Sequence, residues 1–297
     1  MSMSLTPLCT AQAIMKTFKV LPTVPAAASR AIQLLNESEV DMGEVADILL
    51  ADQVMAARVI RIVNSPLYKL LQEIDSVRQA LIYLGPQRVF EIILTSCFLE
   101  LTDSQSRTPL KMQYCWEHAF GVGLVAKKLA SFSVDIPQDQ AYIAGILHDI
   151  GEVILSQQRR DEFTRVLVLA RERELDLHQA EMEVFGTSHA EVGALLAEQW
   201  RFPEVYIDVI RNHHGPQSEN MSTLTRLVHI ADQICLNVGF CCKYENADQR
   251  EGQVYGVDML DLERQLSSLG VRRLSDFRAS LAELVQQVKQ TVESIYG

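Results

Sequence analysis

The sequence predicts an all-α protein, and three observations carry that prediction. Between Pro25 and Leu99 apolar residues recur at three- and four-residue spacing, with no period-two strand pattern among them. Glycine and proline are sparse, 14 and 9 of 297 residues, while Leu, Ala, Val, Ile, Glu and Gln are abundant, which favours helix over sheet. The breaks between apolar stretches carry helix caps and stops. A chain of this length holds enough apolar material for one large domain or two ordinary ones.

Ala28, Ala31, Ile32 and Leu35 share the first helical face. Asp41-x-x-Glu44 forms a capping box for a helix whose face is Val45, Ile48 and Leu49. Asp52 caps the next, with Ala56, Val59, Ile60 and Val63 inward and Arg58 and Arg61 outward. Asn64-Ser65-Pro66 ends it, since the residue before a proline disfavours helix. Val77, Ala80, Leu81 and Leu84 repeat the spacing, and Gly85-Pro86 is a stop and restart ahead of Val89, Ile92 and Ile93.

The polar run from Ser104 to Thr108 marks a boundary. A long helix from about Lys111 to Ser131 carries Trp116, His118, Val122, Val125 and Leu129. The polar turn Asp135 to Asp139 leads into a helix that ends in His148-Asp149, with Gly151 placed to stop it. Helices over about Asp161 to Arg173 and Gln179 to Val184 follow. Ser188-x-x-Glu191 is a capping box that sets His189 in the first turn of a helix carrying Val192, Leu195, Leu196 and Trp200, ended by Pro203. Ile207 to Ile210 lead to a stop at Asn212-His213-His214-Gly215-Pro216. Leu224, Leu227, Val228 and Ala231 form the next face, with Asp232 on its edge.

Lys243 to Gly256 is polar and reads as a loop or partly disordered linker. A final helix from about Ser275 carries Phe277, Leu281, Leu284, Val288 and Ile295, a stripe that packs on its own domain or pairs two copies as a coiled coil. The breaks divide the chain into an N-terminal helical part (1–108), a second helical part carrying most of the histidines (109–240), and a linker with C-terminal helices (241–297).

A formal charge of −11 excludes a nonspecific nucleic-acid binder, which needs a surplus of Lys and Arg. The six cysteines, Cys9, Cys97, Cys115, Cys235, Cys241 and Cys242, include no C-x-x-C pair and read as reduced core thiols. The vicinal Cys241-Cys242 pair leaves a redox or soft-metal role as the minority reading. The chain starts with no basic stretch followed by an apolar core, and charges interrupt every apolar run of membrane length. The expectation is a cytoplasmic protein with no membrane partner.

Five of the seven histidines and two aspartates fall on apolar faces or at helix ends: His118, His148, Asp149, His189, His213, His214 and Asp232. Mixed imidazole and carboxylate donors suit Fe, Mn, Zn or Co, whereas Mg and Ca prefer all-oxygen shells. Asp149 and Asp232 can share charge with two cations, and a two-ion centre activates water and clamps a phosphate. Each residue alone has a plainer reading: a satisfied core histidine, a helix-end acceptor at Asp149, a solvated terminus at His213-His214. A metal-free hydrogen-bonded core stays open on the residues alone. His178 and His229 fall outside the pattern, although His229, three before Asp232, is either a ligand or a neighbour.

Leu21-Pro22-x-x-Pro25, Asp52 ahead of the stretch from Arg58 to Tyr68, and Ser76-Val77-x-x-Ala80-x-x-x-Leu84-Gly85 resemble the N-terminal half of an HDOD domain. This is the HD-related output domain of bacterial signalling proteins, and the resemblance extends over roughly residues 15–216. In order, His118, His148-Asp149, His189, His213-His214 and Asp232 resemble the ligand set of HD-superfamily phosphohydrolases, including HD-GYP enzymes that hydrolyse cyclic di-GMP. The resemblance implies an HD-superfamily-like helical bundle with an N-terminal helical subdomain. It also implies one or two divalent ions, Fe or Mn foremost, on those seven residues.

Two departures stand out. The lysine that HD-GYP proteins carry after the His-Asp-x-Gly turn is Glu152 here, which would repel a phosphate. Gly-Pro-Gln-Ser-Glu follows His214, with no Gly-Tyr-Pro signature. The resemblance therefore implies a regulatory module acting through signalling proteins, with a metal-dependent phosphohydrolase of a nucleotide or cyclic dinucleotide as the alternative. No catalytic residue is assigned.

Overall fold

The computed structural model describes residues 7–18, 23–35, 37, 39–68, 70, 72–101, 108–133, 135–215, 221–240, 259–269 and 274–296. Among these the regular structure is α-helical, with no β-strand. Leu21, Pro22, Cys241, Cys242, the run from Ser104 to Arg107 and the polar stretch from Lys243 to Gly256 lie outside the described residues.

The chain begins with α1 (Pro7–Met15), α2 (Ala26–Leu35), α3 (Met42–Ala51), α4 (Gln53–Val63) and α5 (Val77–Leu101). The Asp41 carboxylate accepts from the Gly43 and Glu44 N–H groups at 2.8 and 3.3 Å, and that of Asp52 from Val54 and Met55 at 3.0 Å. Each thus caps a helix whose first N–H groups have no partner within it. Glu44 does not close the expected box but turns outward to Arg30, 3.4 Å away.

α4 buries Met55, Val59, Ile62 and Val63, while Ala56 and Ile60 of the expected face are half-buried. Arg58 pairs with Glu100, and Arg61 donates to the Ile295 carbonyl at 3.0 Å, so the outward face of α4 is tied to its neighbours. Asn64 caps α4 and clasps the returning chain. Its amide donates to the Ile74 carbonyl at 2.7 Å and accepts from the Ile74 N–H at 2.9 Å. α5 is two helices joined at Gly85, whose φ of 73° and ψ of 170° leave the helical region, and Pro86 restarts the helix.

Then follow α6 (Met112–Ala130), α7 (Gln138–Leu147), α8 (Ile150–Gln158), α9 (Arg160–Arg173), α10 (Leu177–Phe185), α11 (His189–Gln199), α12 (Glu204–Asn212), α13 (Thr223–Asn237), α14 (Met259–Ser268) and α15 (Leu274–Tyr296). α6 is the axis, buried at most positions and packed against α7, α13 and α15, while α11 packs against α8 and α12. The stripe of α15 turns inward: Phe277, Leu284, Val288 and Ile295 are buried, mainly where α15 lies along α6. Cys97, Cys115 and Cys235 are buried free thiols.

The helix expected to end in His148-Asp149 with Gly151 as its stop is built differently. α7 ends at Leu147 with His148 as its C-cap, and Asp149, at φ −100° and ψ 16°, starts α8. Gly151 lies inside α8, where α8 crosses α11: a Cβ there would stand 2.0 Å from the His189 carbonyl oxygen. The glycine serves a close backbone crossing, not a helix end. Pro203 likewise starts α12 after α11 has ended at Gln199. No helix among the described residues is long and apolar enough to cross a membrane.

Candidate metal centre

The seven sequence candidates come from five places in the bundle. His118 lies mid-way along α6, His148 and Asp149 at the α7–α8 joint, His189 in the first turn of α11, His213 and His214 just past α12, and Asp232 on α13. The Ser188 hydroxyl accepts from the Glu191 N–H at 3.4 Å, the cap that starts α11 beside His189.

Asp149 is the hub. Its Oδ1 lies 3.1 Å from His213 Nε2 and 3.4 Å from His189 Nε2; its Oδ2 lies 3.2 Å from His148 Nε2 and 3.3 Å from His118 Nε2. Asp232 Oδ1 stands 3.2 Å from His118 Nε2 and joins the cluster there. His214 Nε2 is 3.0 Å from His189 Nε2. Two donor groups result, each with its ligand atoms within 4.8 Å of one another: Asp149, His189, His213 and His214; and His118, His148 and Asp149. They share Asp149.

The Nδ1 side of four rings is fixed by the fold. His118 Nδ1–H donates to the Phe240 carbonyl at 2.9 Å, His148 to Gly145 at 2.7 Å, and His213 to Ile210 at 2.9 Å. His189 Nδ1–H donates to Glu181 Oε2 at 2.7 Å. A carbonyl oxygen can only accept, so the proton sits on Nδ1 and, in a neutral ring, Nε2 is left with a free lone pair. All four Nε2 atoms face Asp149. Such outer hydrogen bonds are what orient and tune metal-ligating histidines.

Electrostatics follow from this crowding. Burial raises the Asp149 pKa, but the surrounding imidazoles, His148 first, outweigh it and hold the carboxyl well below its usual range. Burial disfavours a cationic His118, yet Asp149 and Asp232 lift its pKa well above the ordinary histidine value. The same balance lifts His189 through Glu181 and Asp149, whereas burial prevails at His213 and lowers it. Glu152 is only 4% exposed, and burial, with the Asp149 charge beside it, pushes its pKa to about 8. This favours its neutral form, which weakens the repulsion of phosphate expected from a carboxylate there.

A family model of the HDOD domain matches residues 21–216. The chain belongs to the HDOD family. An HDOD domain protein of unknown function from Geobacter sulfurreducens is 33% identical to it, with a TM-score of 0.76 over 95% of this chain and 97% of that one. A proposed phosphohydrolase from Shewanella amazonensis shares the fold at 22% identity, with a TM-score of 0.76 over 98% of this HDOD chain and 99% of its own. An uncharacterized Treponema pallidum protein is 23% identical over 199 residues. That match takes in 66% of this HDOD chain but spans only 38% of the relative's length.

The donor set of this HDOD protein fits a divalent cation. His148 Nε2 is buried and, although Asp149 Oδ2 lies 3.2 Å away, makes no well-aligned hydrogen bond. His189 and His213 bring their Nε2 atoms to 3.4 Å, and in the neutral, metal-ligating form of both rings, with the Nδ1 protons engaged, the two lone pairs face each other. A cation between them relieves that contact. His214, exposed, and Asp149, with 17% of its side chain accessible, open the centre to solvent.

One supporting residue, Glu181, escapes the sequence reading, and His178 and His229, which stood outside its pattern, flank the centre. Glu181, on α10, is fully buried, and its Oε2 takes both the Nδ1–H and the backbone N–H of His189, the latter at 2.8 Å. Its signal was present: Leu177, Ala180, Glu181 and Val184 share one helical stripe, so an acid stands among inward positions. His178 is half-buried, its ring centroid 5.3 Å from that of His214. His229 is a neighbour: its Nδ1–H donates to the His213 carbonyl at 2.7 Å, and Gln233 lies 2.9 Å from its other nitrogen.

Proposed function

We propose that this HDOD protein is a bacterial signal-transduction module that acts through protein partners, with a divalent-metal centre, iron or manganese foremost, on the seven His and Asp residues. The observation that carries the reading is a pairing. Ring nitrogens oriented as ligands stand beside a buried acid, Glu152, where the resembling phosphodiesterases have a lysine. A buried carboxyl group, in either protonation state, supplies none of the positive charge that a transferring phosphoryl group requires. The chain thus keeps a place for metal and lacks a group that catalysis would use. In this reading the centre binds five helical elements into one unit and presents its loaded or empty state to a partner, another copy included.

The alternative, hydrolysis of a nucleotide or cyclic dinucleotide, is favoured by one feature: two donor groups sharing one carboxylate. Two bound ions would supply Lewis-acid activation of water and charge neutralisation at phosphorus. His118, His148 and Asp232 would hold one side and His189, His213 and His214 the other, with Asp149 shared between them. The deciding experiment measures metal content of wild type and Asp149→Ala purified in parallel without chelator, then turnover of cyclic dinucleotides by the loaded protein. The proposal expects bound metal lost in the variant, no turnover, and partner capture that differs between loaded and chelated protein. Turnover abolished by Asp149→Ala would establish the hydrolase instead.

A further inference from the structure

The two halves of the centre are not equivalent. One offers three imidazoles, of His189, His213 and His214, with Asp149 Oδ1; the other offers two, of His118 and His148, with Asp149 Oδ2 and the Asp232 carboxylate beside His118. Their support differs too. His118 and His148 are backed by neutral backbone carbonyls, as is His213. His189 alone is backed by a carboxylate, that of Glu181, which lies 2.7 Å from its Nδ1 and 2.8 Å from its backbone N. Glu181 is fully buried, and its second oxygen has no hydrogen-bond partner. A buried acid turned wholly toward one ring fixes that ring in two directions and makes it a more basic ligand than a carbonyl would.

We infer that Glu181 is a positioning residue that makes the His189–His213–His214 half take its metal ion first and more tightly than the His118–His148 half. The inference rests on the metal reading proposed above. Borderline divalent ions bind more strongly to nitrogen-rich sets. Once the first ion holds Asp149, the second approaches a carboxylate already neutralised and a positive neighbour. The second half relies on Asp232 to offset this. The halves therefore fill in order.

The test is a titration of the metal-free full chain with cobalt(II), followed by visible absorption and by elemental analysis after gel filtration. Wild type is expected to take two equivalents in two steps at least tenfold apart in affinity. Glu181→Gln keeps an acceptor of the same shape but removes the charge. It is expected to weaken the first step by roughly 10- to 100-fold, the usual effect of losing such an outer partner, and to change that step's absorption spectrum. Asp232→Asn is expected to weaken the second step alone. This arm tests the order without touching Glu181, so the inference stays testable if Glu181→Gln fails to show the far-ultraviolet dichroism of wild type. Two equivalents binding in one indistinguishable step, or Glu181→Gln weakening the second step and sparing the first, would overturn the inference and leave the metal reading standing. No cobalt taken up by wild type would overturn both.

Discussion

The backbone of Gly151 lies directly against the carbonyl of His189: a methyl group added at Gly151 would stand 2.0 Å from that oxygen and 2.8 Å from the Gly193 nitrogen. Both contacts are backbone, so no side chain can swing aside. Gly151→Ala must therefore part α8 from α11, and with them Asp149 from His189. The expected cost is about 3 kcal/mol or more, the upper end for overpacking. Urea unfolding would measure it, alongside loss of bound metal. A variant that unfolds like wild type and retains metal would show the crossing to be looser than this.

Removal of metal should destabilise the wild-type protein and leave Asp149→Ala almost unmoved. An ion bound only by the folded state, at 100 times its dissociation constant, contributes about 2.7 kcal/mol. For a chain of this size that corresponds to several degrees in melting temperature. Thermal melts with and without a chelator, on both proteins, are the check. Equal melting of loaded and chelated wild type would mean that the ring nitrogens satisfy one another without an ion.

Much of the fold is legible because helix starts are local events. Asp41, Asp52 and Ser188 accept from N–H groups two or three residues ahead, as their spacing predicts, and Gly85-Pro86 breaks α5 where expected. The seven site candidates are legible because polar residues on apolar faces need partners. What the sequence conceals is set by crossings between distant elements. Glu181 stands on the inward stripe of α10 in the sequence, but that it faces His189 follows only from how α10 meets α11. Gly151 looks like a helix stop until α11 is seen against it. α4 buries Met55 and Ile62 ahead of Ala56 and Ile60, and its outward Arg58 and Arg61 meet partners on α5 and α15, far along the chain.

Asn64 should be worth more than a helix cap. Its side chain makes two hydrogen bonds to Ile74 and closes the segment between α4 and α5. Asn64→Ala leaves the N–H and carbonyl of Ile74 without that partner in a partly buried place, an expected loss of about 1–3 kcal/mol. Asn64→Asp keeps the acceptor for the Ile74 N–H but sets an anion against the Ile74 carbonyl, so it should rescue little. Equilibrium urea unfolding of both variants is the test, and Asn64→Asp equal to wild type would mean that only the accepted bond matters.

Glu91 should make the protein lose stability as pH rises through the neutral range. Its side chain is 1% exposed, neither oxygen of an ionised Glu91 would find a hydrogen-bond donor, the protonated acid can donate to Asp139, and the Lys127 ammonium comes no closer than 3.6 Å. Burial first, and then the Asp139 carboxyl, raise its pKa from 4.5 to about 9, against the opposing pull of Lys127. The unfolded chain ionises this group near pH 4.5 while the folded chain keeps it protonated to about 9. Between those values the unfolded state holds fewer protons, so stability falls with rising pH, by up to roughly 1.4 kcal/mol per unit, and levels off above the folded value. Asp139 adds no slope there, since its lowered pKa places its titration in acid. Glu91→Gln has no proton to lose. It should make the profile less steep, leaving the slope that Glu152, His118 and His189 contribute, and exceed wild type in stability at pH 9, while Lys127 keeps Asp139 at 3.0 Å. Urea midpoints of the two proteins from pH 5 to 9 decide it: parallel profiles would mean that Glu91 is already ionised in the fold, held by Lys127.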